Sequence, residues 1–238
     1  FNLKTDDSDI TYLNKYNLNY LIAAAAGLGL YLELMIIRLH SSFFQLFSFF
    51  KNISLLSCLL GLGVGYLFGG KKLFSLKWVF PLLAIQISFM YLLKSTPIGP
   101  LLQNPITEQW AMGLTNAQGF LQFFLIYSFV ILIFLSNAVI FVPLGHLVSR
   151  LMQKQDKLKS YSWNLIGSLS GIIIFALMSL FWTPPSLWIL VGFFIYIIFV
   201  RKNLIDILIP SVSVLLLLML MLVPKELNKQ DIYSPYQI

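Results

Sequence analysis

Charge is scarce in this chain: only 11% of its 238 residues are Asp, Glu, Lys or Arg, against roughly 25% in soluble domains. Apolar runs of about 20 residues recur between the charged positions, and 58% of the chain is hydrophobic. That balance excludes an ordinary water-soluble fold and predicts a polytopic membrane protein. There is one cysteine, Cys58, so an internal disulfide is excluded, and its place in an apolar run reads as a small core residue. His40 and His146 have no partner at metal-ligand spacing, and neither HExxH nor a GxxxxGK[ST] phosphate loop is present. The run Gly61-Leu62-Gly63-Val64-Gly65 lacks the third glycine of a nucleotide fingerprint and sits in an apolar helix, which makes it a packing feature. No leader pattern precedes the first apolar run, and the chain opens on Phe1, so it reads as a fragment or trimmed piece. The net charge of +7 arises from Lys and Arg placed between apolar runs, and no nucleic-acid partner is expected.

What the chain has in quantity is small residues at helical spacing. Ser57, Gly61, Gly65 and Gly69 recur every fourth residue and form one narrow ridge on a helix. In water each such glycine costs roughly 0.5–1 kcal/mol against alanine. In lipid a ridge of this kind lets a second helix approach closely. Ala23 with Gly27, Ala25 with Gly29, and Gly167 with Gly171 repeat the spacing. The expected fold is therefore all-α, a bundle of about seven transmembrane helices, with spans near 20–39, 45–70, 78–93, 120–148, 161–182, 186–200 and 205–223. Spans one, two and five should pack through their small faces, the 57–69 ridge against span one. Residues 1–19 form an amino-terminal tail, and Pro97, Gly99, Pro100, Pro105 and Gly113 break the stretch 95–119 into a long loop around Trp110. Pro143 should kink span four, and Pro184-Pro185 should end span five.

Basic residues alternate from loop to loop. Lys71, Lys72 and Lys77 follow span two, Arg150, Lys154, Lys157 and Lys159 follow span four, and Arg201 and Lys202 follow span six. The positive-inside rule then places the amino terminus in the cytoplasm, and the expected location is the cell (inner) membrane, with the lipid bilayer as partner.

Polar side chains inside apolar runs are the candidates for function. Glu33 lies about four turns into span one, where a lone carboxylate either holds its proton or has a partner. Two roles stay open for it: a structural hydrogen bond to Asn137 or Asn164 on another helix, or a part in binding or proton transfer. Burial inside the bundle is required by both. Arg38 is about 140° around the helix from Glu33, poorly placed to pair with it, and should snorkel to the outer interface. Gln86 and Gln122 read as interhelical hydrogen-bond partners, and His146 as an interfacial residue.

Several strings then occur in a telling order: Glu33-Leu34 with Arg38-Leu39, LLGLGVG at 59–65, YSWNLIGSLSGIIIFAL at 161–177, Pro184-Pro185-Ser186-Leu187-Trp188, and Tyr233-Ser234-Pro235-Tyr236-Gln237-Ile238. Together they resemble the membrane region of spermidine synthase-like proteins, in which several spans precede an aminopropyltransferase domain of polyamine biosynthesis. The resemblance implies that 224–238 is a linker and first strand of that domain, and that Gln237 contacts the nucleoside substrate, decarboxylated S-adenosylmethionine, or its thioadenosine product. It implies a fused carboxy-terminal synthase domain and a polyamine as partners. The catalytic aspartate and Gly-rich acidic loop would lie beyond Ile238, so no catalytic residue and no cofactor or metal is assigned to this chain. Seven spans from a cytoplasmic start would leave Gln237 outside, whereas a synthase needs cytoplasmic substrates; a miscounted or missing span is the expected resolution. Two functions follow. One is an anchoring or substrate-delivering module of a spermidine synthase-like enzyme; the other is a transporter or binding module for polyamines or cations, with Glu33 as counter-charge.

Overall fold

A computed structural model describes residues 17–44, 46–49, 51–69, 75–96, 99, 120–200 and 204–222. Among them every regular element is helical: α1 (Leu18–Phe43), α2 (Leu46–Phe49), α3 (Lys51–Leu67), a 3-10 turn (Leu76–Trp78) leading into α4 (Val79–Lys94), α5 (Phe120–Met152), α6 (Lys157–Leu180), α7 (Pro185–Ile197) and α8 (Leu204–Leu222). The tail 1–16, the loop around Trp110, and Gln237 lie outside the described residues.

Five of these helices are long and apolar enough to cross a membrane: α1, α4 with its 3-10 lead, α5, α6 and α8. The other two apolar helices are shorter. α3 has 17 residues and α7 has 13, so at 1.5 Å per residue they extend about 25 and 20 Å, less than the roughly 30 Å hydrocarbon layer. The span expected over 45–70 is divided. Its first part is the four-residue α2, folded against the end of α1, with the Ser41 hydroxyl donating to the Phe47 carbonyl at 3.4 Å. Phe44 and Phe47 are both buried against Phe129 of α5, and these rings hold the bend.

α5 continues for 33 residues through Pro143, because one lost backbone bond is tolerated where neighbouring helices enclose it. α6 does end before Pro184-Pro185. The Trp182 and Thr183 amides donate to the Ser179 and Met178 carbonyls, each at 3.2 Å, and Trp182 takes a φ of 56°. This is a Schellman stop with tryptophan at the position usually held by glycine. Pro185 then opens α7, where its fixed φ suits a first helical turn.

Two close pairs dominate the packing, α3 with α5 and α1 with α6. A methyl group added to Gly61 would fall on the Ala138 carbonyl, one on Gly65 on the Val142 carbonyl, and one on Gly69 on the Ser149 hydroxyl, so the 57–69 ridge runs alongside α5 in parallel. In the other pair a methyl on Gly27 would meet the Gly167 carbonyl oxygen at 2.8 Å, and methyls on Gly167 and Gly171 would strike the Ala23 and Gly27 carbonyls. The expected pairing of span one with span five holds. That of the 57–69 ridge with span one is corrected: the partner is α5, whose Ala138 and Gly145 supply the matching small face. α1 meets α3 elsewhere, through Gly29 beside Leu62.

The helix ends sort into one common face. Gln155, after α5, donates to the Asn19 side chain at the start of α1 at 2.6 Å, and the Ser149 hydroxyl donates to the Tyr66 carbonyl near the end of α3 at 3.1 Å. Lys77, before α4, lies 3.5 Å from Asp206 at the start of α8, and the Tyr196 hydroxyl near the end of α7 donates to the Leu76 carbonyl at 3.4 Å. The connections expected to carry the basic residues therefore gather at one end of the bundle. Apolar side chains such as Leu165, Leu169, Ile173, Leu208 and Leu215 cover the outside, which is compatible with a membrane protein.

Candidate functional site

Polar groups collect where α1, α3, α4 and α5 meet. α1 is amphipathic in an unusual sense: Glu33 and His40, seven residues apart, sit on one face and both turn inward, each 1% exposed. Seven residues is close to two helical turns, which stacks them along that face. α3 contributes Ser54, Ser57 and Cys58 by the three- and four-residue spacing, α4 contributes Gln86, and α5 contributes Asn137, all buried.

Most of these groups form a circuit. The His40 Nδ1 and Ser54 hydroxyl are 3.0 Å apart, and the Ser57 hydroxyl donates to the Ser54 carbonyl at 2.7 Å. The Asn137 amide donates to the Ser57 hydroxyl at 3.1 Å, and the Gln86 amide donates to the Asn137 side-chain oxygen at 2.8 Å. Gln86 also reaches back beside the His40 ring, leaving its Oε1 and the His40 Nε2 without a well-formed bond. Four helices are thus tied by neutral side chains. Each bond of this type contributes on the order of 0.6 kcal/mol in membrane proteins, and up to about 1.7.

Glu33 stands apart from the circuit. Neither carboxyl oxygen has a hydrogen-bond partner among the described residues. The expected bonds to Asn137 and Asn164 do not form, because Asn137 is taken by Gln86 and Ser57, while Asn164 accepts from the Tyr66 hydroxyl at 3.3 Å near the end of α3. The Cys58 thiol of α3 is buried in the same region of the bundle. The expected burial of Glu33 inside the bundle is met.

Arg38 is half-buried, its guanidinium 5.6 Å from the centre of the Trp188 ring. That places a cation–π contact between α1 and α7. The same tryptophan anchors a neighbouring cluster: its indole donates to the Thr183 hydroxyl at 2.8 Å, and its carbonyl accepts from the Tyr31 hydroxyl at 2.8 Å. Gln86 acts between helices as expected; the Gln122 side chain lies outside the described residues. His40 and its link to Ser54 were missed by sequence reasoning. The available signal was its seven-residue spacing from Glu33. Among the described residues no group of three or more His, Cys, Asp or Glu could hold a metal ion.

What the arrangement offers chemically is a single carboxyl group, shielded from water and unopposed by a donor, beside a rigid neutral network. Comparison of the chain with protein-family models, with curated proteins and with solved structures returned no match. The likeness to spermidine synthase-like membrane regions rests on the quoted motifs alone.

Proposed function

We propose that this chain is the membrane module of a spermidine synthase-like protein, and that its bundle takes up a small cationic solute of the polyamine class with Glu33 as counter-charge. The observation that carries the reading is the Glu33 carboxyl group, 1% exposed and, among the described residues, with no hydrogen-bond partner on either oxygen. A buried carboxylate with no donor is costly in lipid. A positively charged amine would supply both the missing charge and the missing donors. In this reading the amino terminus lies in the cytoplasm, as the alternation of basic loops supports, and the number of crossings differs from seven by one, so that the carboxy-terminal end of the chain is cytoplasmic as well. Gln237 would then belong to a following aminopropyltransferase domain that uses decarboxylated S-adenosylmethionine.

The test is a calorimetric titration of the purified protein in lipid nanodiscs with spermidine. Wild type binds, and Glu33→Gln and Glu33→Leu lose at least about tenfold in affinity, equivalent to about 1.4 kcal/mol, while keeping their thermal stability. If Glu33→Leu binds as well as wild type, the counter-charge role is wrong, and the module is an anchor only.

A further inference from the structure

We infer that the bundle is an alternating device: two like three-helix bodies, α1–α6–α7 and α5–α3–α4, related by a two-fold axis in the membrane plane, rock against each other, and the structure holds the state closed at the end where α1 begins.

That inner end gathers the starts of α1, α4, α6 and α8 and the finishes of α3, α5 and α7. The helices α1, α3 and α4 therefore run outward, inward and outward, and α5, α6 and α7 follow in the same order with every direction reversed. Exchanging α1 with α5, α3 with α6 and α4 with α7 also preserves the packing: α1 rests on α5, α6, α7 and α3, and α5 rests on α1, α3, α4 and α6. α8 lies against both α4 and α7, one helix from each triplet. The closest contacts repeat as well. Methyls added to Gly61 and Gly65 of α3 fall on the Ala138 and Val142 carbonyls of α5, and methyls added to Gly167 and Gly171 of α6 fall on the Ala23 and Gly27 carbonyls of α1, the same register twice. Contacts of backbone on backbone leave no room to slide, so each body moves as a unit. Inverted repeats of this kind are a recurrent plan of membrane transporters, in which one unit rocks against the other.

The seam between the bodies differs at its two ends. At the inner end the Tyr66 hydroxyl of α3 donates to Asn164 of α6 at 3.3 Å, Gln155 donates to Asn19 at 2.6 Å, and the Tyr196 hydroxyl of α7 donates to the Leu76 carbonyl at 3.4 Å. The Phe80 ring of α4 lies 5.4 Å from Phe193 and 5.0 Å from Tyr196 of α7. Toward the outer end α3 and α6 part. Gly29 and His40 mark the side of α1 that faces α3, and Ala23 and Gly27 the side that faces α6. Between those sides lie Ala26 and Ile37, about three turns apart; Ala26 is buried and Ile37 partly exposed. A two-fold axis in the membrane plane interchanges the ends, so a state closed at one end has a counterpart in which α3 and α6 meet at the other. Among the described residues, Glu33 and His40 of one body and Gln86 of the other keep buried polar atoms without a partner. A seam that opens in turn brings such atoms to water.

The experiment is pulsed electron paramagnetic resonance on doubly spin-labelled protein in lipid nanodiscs, in a Cys58→Ser background and without added solute, so its outcome is independent of the reading of Glu33. Leu56→Cys with Leu177→Cys crosses the seam toward the outer end, and Leu67→Cys with Leu158→Cys crosses it at the inner end; all four side chains are exposed. Leu67→Cys with Leu121→Cys stays within one body, and Tyr20→Cys with Phe181→Cys within the other. Each seam pair should give two distances and each pair within a body one. Tyr66→Phe removes the inner bond to Asn164, and should raise the long inner and the short outer distance together by about threefold, the weight of one such bond. A single distance at both seam pairs in both proteins overturns the inference. So do populations that Tyr66→Phe leaves unchanged, an inner distance that lengthens while the outer one stays fixed, or pairs within a body that change as much as the seam pairs.

Discussion

Removing the Asn137 side chain should destabilise the bundle more than removing Glu33. Asn137→Ala removes the 2.8 Å acceptor of the Gln86 amide, leaving it only the Ile133 carbonyl at 3.5 Å, and loosens Ser57; a buried donor left poorly paired costs about 1–3 kcal/mol. Glu33→Gln leaves no donor or acceptor of the network orphaned, since Glu33 is not part of it. A thermal unfolding series in detergent checks the order; equal losses for the two variants would contradict it. Cys58 gives a second reading at the same place. Its thiol is fully buried, so maleimide should label it only after denaturation, and rapid labelling of the native protein would mean that the α1–α3–α5 interior opens to water. Glu33 and Asn137 were legible in the sequence because polar residues in apolar runs declare themselves. Which of them meet was not: the Gln86–Asn137–Ser57 link joins three helices whose relative rotation no local pattern encodes.

At the scale of the helices, the glycines of α3 divide sharply by face. Gly65→Leu would drive its side chain into the Val142 carbonyl and the backbone of Gly145 and His146, whereas Gly63 has open space where a methyl would go. Overpacking against backbone costs roughly 1–3 kcal/mol or more; replacing an exposed helical glycine by alanine gains about 0.4–1 kcal/mol. Gly65→Leu should therefore lower the melting temperature and Gly63→Ala should hold or raise it, and a Gly65→Leu protein as stable as the parent would refute the close α3–α5 packing. The small-residue spacing made the interfaces visible from sequence. The identity of the partner was hidden, because any helix with a small face fits any other, and the ridge expected on α1 is closed by Ala138 and Gly145 of α5. The division of 45–70 was also hidden. It depends on Phe44 and Phe47 finding Phe129, a contact distant in sequence.

For the whole molecule, the alternation of basic residues and the hydrogen bonds at the helix ends describe the same sidedness. Gln155 with Asn19, Ser149 with Tyr66, and Lys77 with Asp206 bring the connections after α3, α5 and α7 to the end where α1 begins. In a Cys58→Ser background, single cysteines at Lys154 and at Ser75 should both resist a membrane-impermeant reagent in intact cells and react after permeabilisation. Labelling of either in intact cells would reverse the proposed orientation. The most direct test of the account is the infrared difference spectrum of the protein in lipid with and without spermidine. A carboxylic-acid carbonyl band should be present in the solute-free protein, disappear when spermidine binds, and be missing from Glu33→Gln. A band that is absent at the start in wild type, or that spermidine leaves unchanged although it binds, would contradict the account of Glu33 as the buried counter-charge of the solute.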